Sequence, residues 1–171
     1  MAIAVVGGGR RCGKSRYALA LASAHGPRLG FIATLCPDDE ESRQKVEEAR
    51  RERGASFLTT EEQFEVPGAL AARAGLLDAI VVDDLTTWVS NLVLAGRTDA
   101  EVEEAAEQLI RAAKQGPAEV VIVTSDVDFG FAIDPPSSRQ FRRLAGLINR
   151  RVAESASRLY WMVFGLPNRI R

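Results

Sequence analysis

The chain has 171 residues, 46% hydrophobic and 26% charged, with 22 Lys and Arg against 23 Asp and Glu and a formal net charge of −1. This length and composition describe one globular domain over residues 1–171, and the balanced charge argues against a nucleic-acid binder that works by bulk positive charge. No apolar run approaches the roughly 20 residues of a membrane span, and two cysteines, Cys12 and Cys36, are too few for a disulfide framework or a four-ligand zinc site.

In chain order, residues 2–6 (AIAVV) predict a buried strand and residues 16–24 (RYALALASA) a helix. Residues 29–33 (LGFIA) predict a second strand, 38–53 a charged helix, and 79–82 (AIVV) a strand that ends in Asp83 and Asp84. A short helix is expected over 86–95. Thr98, with Glu101 three residues on, forms a capping box for a helix reaching about residue 115, where Gly116-Pro117 stops it. Residues 120–124 (VVIVT) predict a strand, 125–137 (SDVDFGFAIDPPS) an irregular stretch, 138–157 an amphipathic helix, and 159–164 (LYWMVF) a last strand. Short apolar strands separated by helices imply βαβ units, hence an α/β fold with a mostly parallel sheet flanked by helices. The N-terminal MAIAVVGGGRR lacks a basic segment followed by an apolar stretch and a cleavage site, so a cytoplasmic location is expected.

Between the first strand and the first helix, Gly8, Gly9, Arg10, Arg11, Cys12, Gly13, Lys14 and Ser15 match G-x-x-x-x-G-K-[ST] without a mismatch. Glycines let the backbone turn its N–H groups toward an anion, and the following helix adds its N-terminal dipole. Lys14 is expected to reach the β- and γ-phosphates of a nucleoside triphosphate, ATP or GTP, and the Ser15 hydroxyl to ligate Mg²⁺. The metal needs a second anchor at the end of a neighbouring strand, which Asp83, or failing that Asp84, supplies. The fold is therefore expected to be P-loop NTPase-like, with Gly8 to Ser15, Thr34, Asp83 and the 125–137 loop converging beyond the carboxyl ends of the strands.

Five ordered segments carry a family likeness. Residues 7–18 read GGGRRCGKSRYA, 31–40 FIATLCPDDE, 86–92 TTWVSNL and 123–133 VTSDVDFGFAI, and a helix then carries Arg139, Phe141, Arg142, Ala145, Gly146 and Asn149. In these segments the chain resembles the bifunctional adenosylcobinamide kinase and adenosylcobinamide-phosphate guanylyltransferase family of cobalamin nucleotide-loop assembly. The resemblance implies a corrinoid acceptor whose aminopropanol hydroxyl is phosphorylated by a nucleoside triphosphate. It also implies a second step in which GTP transfers GMP to that phosphate through a guanylylated histidine, and a homo-oligomer, trimeric as in the family.

The chain departs from the family pattern at that histidine. The R-I-x-x-H-type run corresponds to residues 43–51, RQKVEEARR, which hold none; His25 is the sole histidine of the chain. Phosphoryl transfer to a hydroxyl needs positioning, Mg²⁺ and charge stabilisation, and its recognisable parts are present. Guanylyl transfer lacks its nucleophile, unless Lys45 or His25 replaces it. The 125–137 loop departs too, with Ser125-Asp126 for Asn-Glu, Asp128 for a glycine and Ile133 for a proline.

His25 is expected to complement a helix C-terminus, Cys12 to fill a variable loop position, and Trp88 and Trp161 to pack in the core or against a subunit. Arg139, Arg142 and Arg143 share a helix face that either binds phosphate or is solvated, and Arg50-Arg51-Glu52-Arg53 is expected to be a solvated helix end. Asp84 or Asp126 is expected to orient the acceptor hydroxyl. The alternatives are a kinase of another small molecule, a nucleotide-binding paralogue with altered catalysis, and an NTPase without acceptor.

Overall fold

A computed structural model describes residues 3–35, 37, 40–126 and 136–171. Most of the 125–137 loop, with Asp128 and Ile133, and Cys36 lie outside the described residues, as does the side chain of Lys45. The elements are β1 (Ile3–Gly8), α1 (Lys14–Ser23), β2 (Leu29–Ala33), α2 (Glu40–Arg53), a 3₁₀ turn (Gly54–Ser56), β3 (Phe57–Glu61), α3 (Val66–Ala71), β4 (Ala79–Asp83), α4 (Leu85–Leu94), α5 (Asp99–Gln115), β5 (Glu119–Val123), α6 (Pro136–Ser155), β6 (Arg158–Val163) and β7 (Leu166–Arg169). The strands form one sheet in the order β3-β2-β4-β5-β1-β6-β7, parallel throughout except for β7, which pairs antiparallel with β6.

The central strands are buried on both faces, which is why they read as continuous runs of Val, Ile and Ala rather than as alternation. Alternate residues still sort to opposite layers. Ile3, Val5, Ile80, Val82, Val120 and Ile122 pack with the apolar residues of α3, α4, α5 and α6. Ala4, Val6, Ala79, Val81, Val121 and Val123 pack on the other face against Ala18 and Ala22 of α1. Trp88 belongs to the first layer, fully buried, with its indole N–H donating to the Phe64 carbonyl at 2.8 Å. No helix of the described residues is long and apolar enough to cross a membrane.

The expected P-loop NTPase-like α/β architecture is observed, with the expected strands and helices displaced by no more than about two residues at most ends. Three elements were not anticipated. β3 is an edge strand with one buried residue, and α3 is a six-residue helix containing Pro67 and Gly68. Strand β6 is not the last, because β7 (LPNR) follows with all four residues exposed. Neither edge strand carries an apolar run, and a proline in β7 is compatible with an edge. The 138–157 helix starts earlier, at Pro136.

Thr98 caps α5, with the hydroxyl accepting from the Glu101 amide and the Glu101 carboxylate accepting from the Thr98 amide at 2.8 Å. Thr98→Ala is expected to lower stability by about 1 kcal/mol, a drop in Tm of about 2–4 °C in a thermal melt, while nucleotide affinity stays unchanged.

Candidate active site

The residues singled out by the motif lie between β1 and α1. Gly8 (φ 151°) and Gly13 (φ 90°) adopt backbone conformations that disfavour a side chain, and a Cβ on Gly8 would meet Cys12 Sγ at 2.7 Å. Gly13 is the N-cap of α1, and Arg11 takes a left-handed φ of 54° inside the turn. Arg10 and Arg11 are exposed and Cys12 is half-buried. Lys14 is 8% exposed, and its ammonium donates to the Gly9 carbonyl at 2.5 Å with Cys12 Sγ at 3.9 Å. The hairpin turn between β6 and β7 closes one side of the loop, since Gly165 Cα lies 3.7 Å from where a Gly13 Cβ would be. Phe164, in that turn and 98% exposed, lines the same cavity as Cys12, Lys14, Ser15 and Arg16. Phe164 escaped the sequence reading because LYWMVF looks like one continuous strand.

Two strands away, β4 delivers Asp83. The Ser15 hydroxyl lies close enough to its carboxyl to favour the charged form, so the loop and the strand end meet. Burial pushes the Asp83 carboxyl up to about 6; the neighbouring Asp84 charge adds to the rise, while the Ser15 hydroxyl, Lys14 and Arg53 oppose it. A desolvated carboxylate beside a hydroxyl provides two oxygen donors of the kind a hard divalent cation takes. The described residues hold no group of three or more His, Cys, Asp or Glu, so further ligands would be phosphate oxygens and water.

Thr34 positions the site without lining it, and Asp84 both positions it and lines the cavity beside Asp83. Thr34 is fully buried; its hydroxyl donates to the Asp84 carbonyl at 2.9 Å and accepts from the Asp84 amide at 2.8 Å. Expected among the phosphate-contacting residues, Thr34 is thus committed to the main chain of β4's end, with no surface left for a ligand. The Asp83–Asp84 peptide is cis. Asp84 N-caps α4 through the Thr87 amide at 2.6 Å, and its second oxygen accepts from Ser125 Oγ at 3.3 Å. Both carboxylate oxygens are engaged, which gives Asp84 a structural duty at the start of α4.

The family-like segments meet beneath this corner. Thr86 Oγ1 lies 3.1 Å from Thr124 Oγ1 and accepts from the Ser125 amide, and Thr124 donates to Asn149 Oδ1 at 2.6 Å. Asn149 Nδ2 donates to the Ser125 carbonyl, and Asn91 Nδ2 to the carbonyls of Thr34 and Gln63. Thr86, Asn91 and Asn149 were visible as matched letters; their task, tying the ends of β2, β4 and β5 together, was not.

Other expectations fall elsewhere. His25 is exposed just past α1, with Nε2 3.4 Å from Arg158 Nη2. The ten residues of α1, about 15 Å of helix, separate it from the phosphate loop, so it is no nucleophile there. Arg143 pairs with Asp99, which also accepts from Gln140, tying α6 to α5. The expectation of a solvated helix end fails at Arg53, which is 9% exposed with its guanidinium 4.0 Å above the Phe31 ring centroid.

Sheet, loop and acidic strand end together define a P-loop NTPase. Solved structures of similar fold include the RadB recombinase (TM-score 0.54, 14% identical, 94% of this chain and 73% of that one) and a KaiC-like protein of Pyrococcus horikoshii (TM-score 0.52, 12% identical, 94% and 70%); at such identities the likeness shows the fold alone. Within that class the chain belongs to the CobU family, cobinamide kinase / cobinamide phosphate guanyltransferase, whose model matches residues 4–170. It is 32% identical over 179 residues to the bifunctional adenosylcobalamin biosynthesis protein CobU of Salmonella typhimurium, covering 98% of each chain. It is also 32% identical to CobP of Pseudomonas aeruginosa, covering 94% of this chain and 92% of that one.

In the unfolded chain Asp83 ionises near 3.8, and in the folded chain near 6. The folded state therefore holds this proton more tightly, and Asp83 withdraws stability as pH rises from about 4 through about 6. Asp78, Asp99, Glu101 and Glu104 are shifted the other way and act below that window. Asp83→Asn is expected to melt above wild type at pH 8, to keep about half of that advantage at pH 5 and to lose most of it by about pH 4, as followed by thermal melts without nucleotide.

Proposed function

We propose that this chain, as a single nucleotide-binding domain over residues 1–171, phosphorylates the aminopropanol hydroxyl of adenosylcobinamide with ATP or GTP and Mg²⁺. The observation that carries the reading is the approach of the Ser15 hydroxyl to the Asp83 carboxyl beside the buried Lys14. It joins the phosphate loop to the acidic strand end, as phosphoryl transfer from a metal-bound nucleotide requires. The names of the relatives support the corrinoid acceptor.

The loop amides and the N-terminus of α1 hold the triphosphate, and Lys14 turns from the Gly9 carbonyl to the β- and γ-phosphates. Ser15 and Asp83 would hold Mg²⁺, which offsets charge on the phosphate oxygens when bound. The acceptor oxygen forms a bond to the γ-phosphorus as the bond to the β–γ bridging oxygen breaks, the nucleoside diphosphate leaves with that electron pair, and the hydroxyl proton passes to water. Asp84 acts indirectly by fixing the start of α4 and Ser125. The covalent guanylyl step has no histidine at this site, so the kinase half is the activity these residues support. The reading also takes the protein to be cytoplasmic and a homo-oligomer, trimeric by family resemblance.

Incubation with adenosylcobinamide, Mg²⁺ and ATP or GTP, with products resolved by mass spectrometry, tests this. Adenosylcobinamide phosphate is the expected product, and Lys14→Ala is expected to lower its rate at least about 100-fold. Adenosylcobinamide-GDP would show that guanylyl transfer runs without the family histidine. Nucleotide binding with no corrinoid product would move the protein to the binding paralogue reading.

A further inference from the structure

Arg53 ends α2 in a position that ordinary packing does not explain. It is 9% exposed, and its Nε is a buried donor without a hydrogen-bond partner. Other arginines of the same helix are matched: Arg43 pairs with Glu40, and Arg50 with Glu47 and Glu61. Among the described residues Arg53 makes no ion pair and stacks on the Phe31 ring, and a desolvated guanidinium with an orphaned N–H is a costly arrangement unless something else completes it. Burial accordingly lowers its pKa, against the attraction of Asp83 and Glu61.

The place it occupies says what would complete it. Arg53 lines a cavity of about 240 Å³ together with Phe31, Val46, Asp83, Asp84 and Thr87. That cavity shares the strand end Asp83 with the catalytic corner but none of its lining with the nucleotide cavity around Arg11, Lys14, Ser15 and Phe164. Asp83 thus stands between the two cavities, with Ser15 lining one and Arg53 the other. Its apolar wall of Phe31 and Val46 suits an alkyl linker, and Arg53 is the one cation among the described residues that line the Arg53 cavity, set against Asp83 and Asp84. A guanidinium offers directed donors that match phosphate oxygens better than a point charge does.

We propose that Arg53 anchors a second oxyanion site, separate from the phosphate loop, which takes the phosphate monoester on the acceptor's side chain. The proposal rests on the corrinoid kinase reading above and adds to it a site that distinguishes phosphorylated from unphosphorylated acceptor. Arg53 then holds the product of the first transfer beside Asp83, where it is placed for a second reaction on that phosphate.

Binding of adenosylcobinamide phosphate, unphosphorylated adenosylcobinamide and GTP, each measured by equilibrium dialysis, tests this on wild type, Arg53→Met and Arg53→Lys. Arg53→Met keeps an apolar body over Phe31 and removes the charge. It is expected to weaken the phosphorylated corrinoid about 10- to 100-fold while the other two ligands stay within about twofold. Arg53→Lys is expected to lose about 5- to 10-fold, and it carries the test if the Met variant does not fold. Equal loss of both corrinoids would make Arg53 a packing residue, and unchanged affinity for the phosphorylated one would leave it no role there; either overturns the proposal. Selective loss of GTP would assign Arg53 to the nucleotide's phosphates and overturn it as well. Wild-type protein that binds GTP but neither corrinoid would overturn the acceptor reading itself, an outcome distinct from the variant effects.

Discussion

One hydroxyl group fixes the geometry on which the rest of the site depends. Thr34 follows β2, and its side chain pairs with both the amide and the carbonyl of Asp84 just past β4. Its own amide donates to the Asp83 carbonyl at 3.0 Å, extending the Ala33–Asp83 register by one step. The chain leaving β4 is thereby held at three points while it turns into α4. Two results follow from that hold: Asp84 faces the first turn of α4 as its cap, and Asp83 faces Ser15 across the end of β5. The second ring of bonds, from Thr86 through Thr124 to Asn149, fastens β5 and α6 to the same corner.

Holding Asp83 there has an electrostatic cost that the site exploits. A buried carboxyl beside a second carboxylate resists ionisation, and hence its proton is bound unusually tightly. Lys14 and Arg53 approach from two sides and favour the charged form without forming an ion pair with it in the described structure. In the proposed kinase reading a cation arriving with the nucleotide would remove the penalty that folding left in place at this carboxylate. The arrangement divides the surroundings of Asp83 into two cavities, one along the phosphate loop and one along Arg53 and Phe31. A donor and an acceptor can thus approach the same metal corner from different directions, which is the geometric requirement of a kinase.

Much of this was legible in the sequence because the relevant signals are local. The glycine-rich loop, the apolar runs of β1, β4 and β5, and the capping box of Thr98 and Glu101 each specify their structure within a few residues. The misses share a different cause. β3 and β7 are edge strands whose residues meet solvent, so no apolar pattern marks them. Thr34 and Asp84 carry the right chemistry for ligand contact, and only the fold shows that the Thr34 hydroxyl is taken by the Asp84 main chain while the Asp84 carboxylate accepts from Thr87 and Ser125. Arg53 looked like one charge among several at a helix end; the spacing from Val46 puts it one heptad on, along the helix face that the structure turns toward Phe31.

The absent histidine acquires a sharper meaning in this frame. The residues that build the corner around Asp83 belong to the ends of β1, β2, β4 and β5, and from α2 it takes only the charge of Arg53, not a histidine. The kinase half of the family's pair of activities can therefore persist in a chain whose α2 has changed. The most direct test is to measure single-turnover phosphoryl transfer to adenosylcobinamide by Thr34→Val, which preserves side-chain shape and removes the hydroxyl. The expected result is a folded protein, destabilised by about 1–3 kcal/mol for the unpaired Asp84 main chain, whose transfer rate falls at least about tenfold. A folded variant with the wild-type rate would contradict the claim that this one hydroxyl places the catalytic carboxylate.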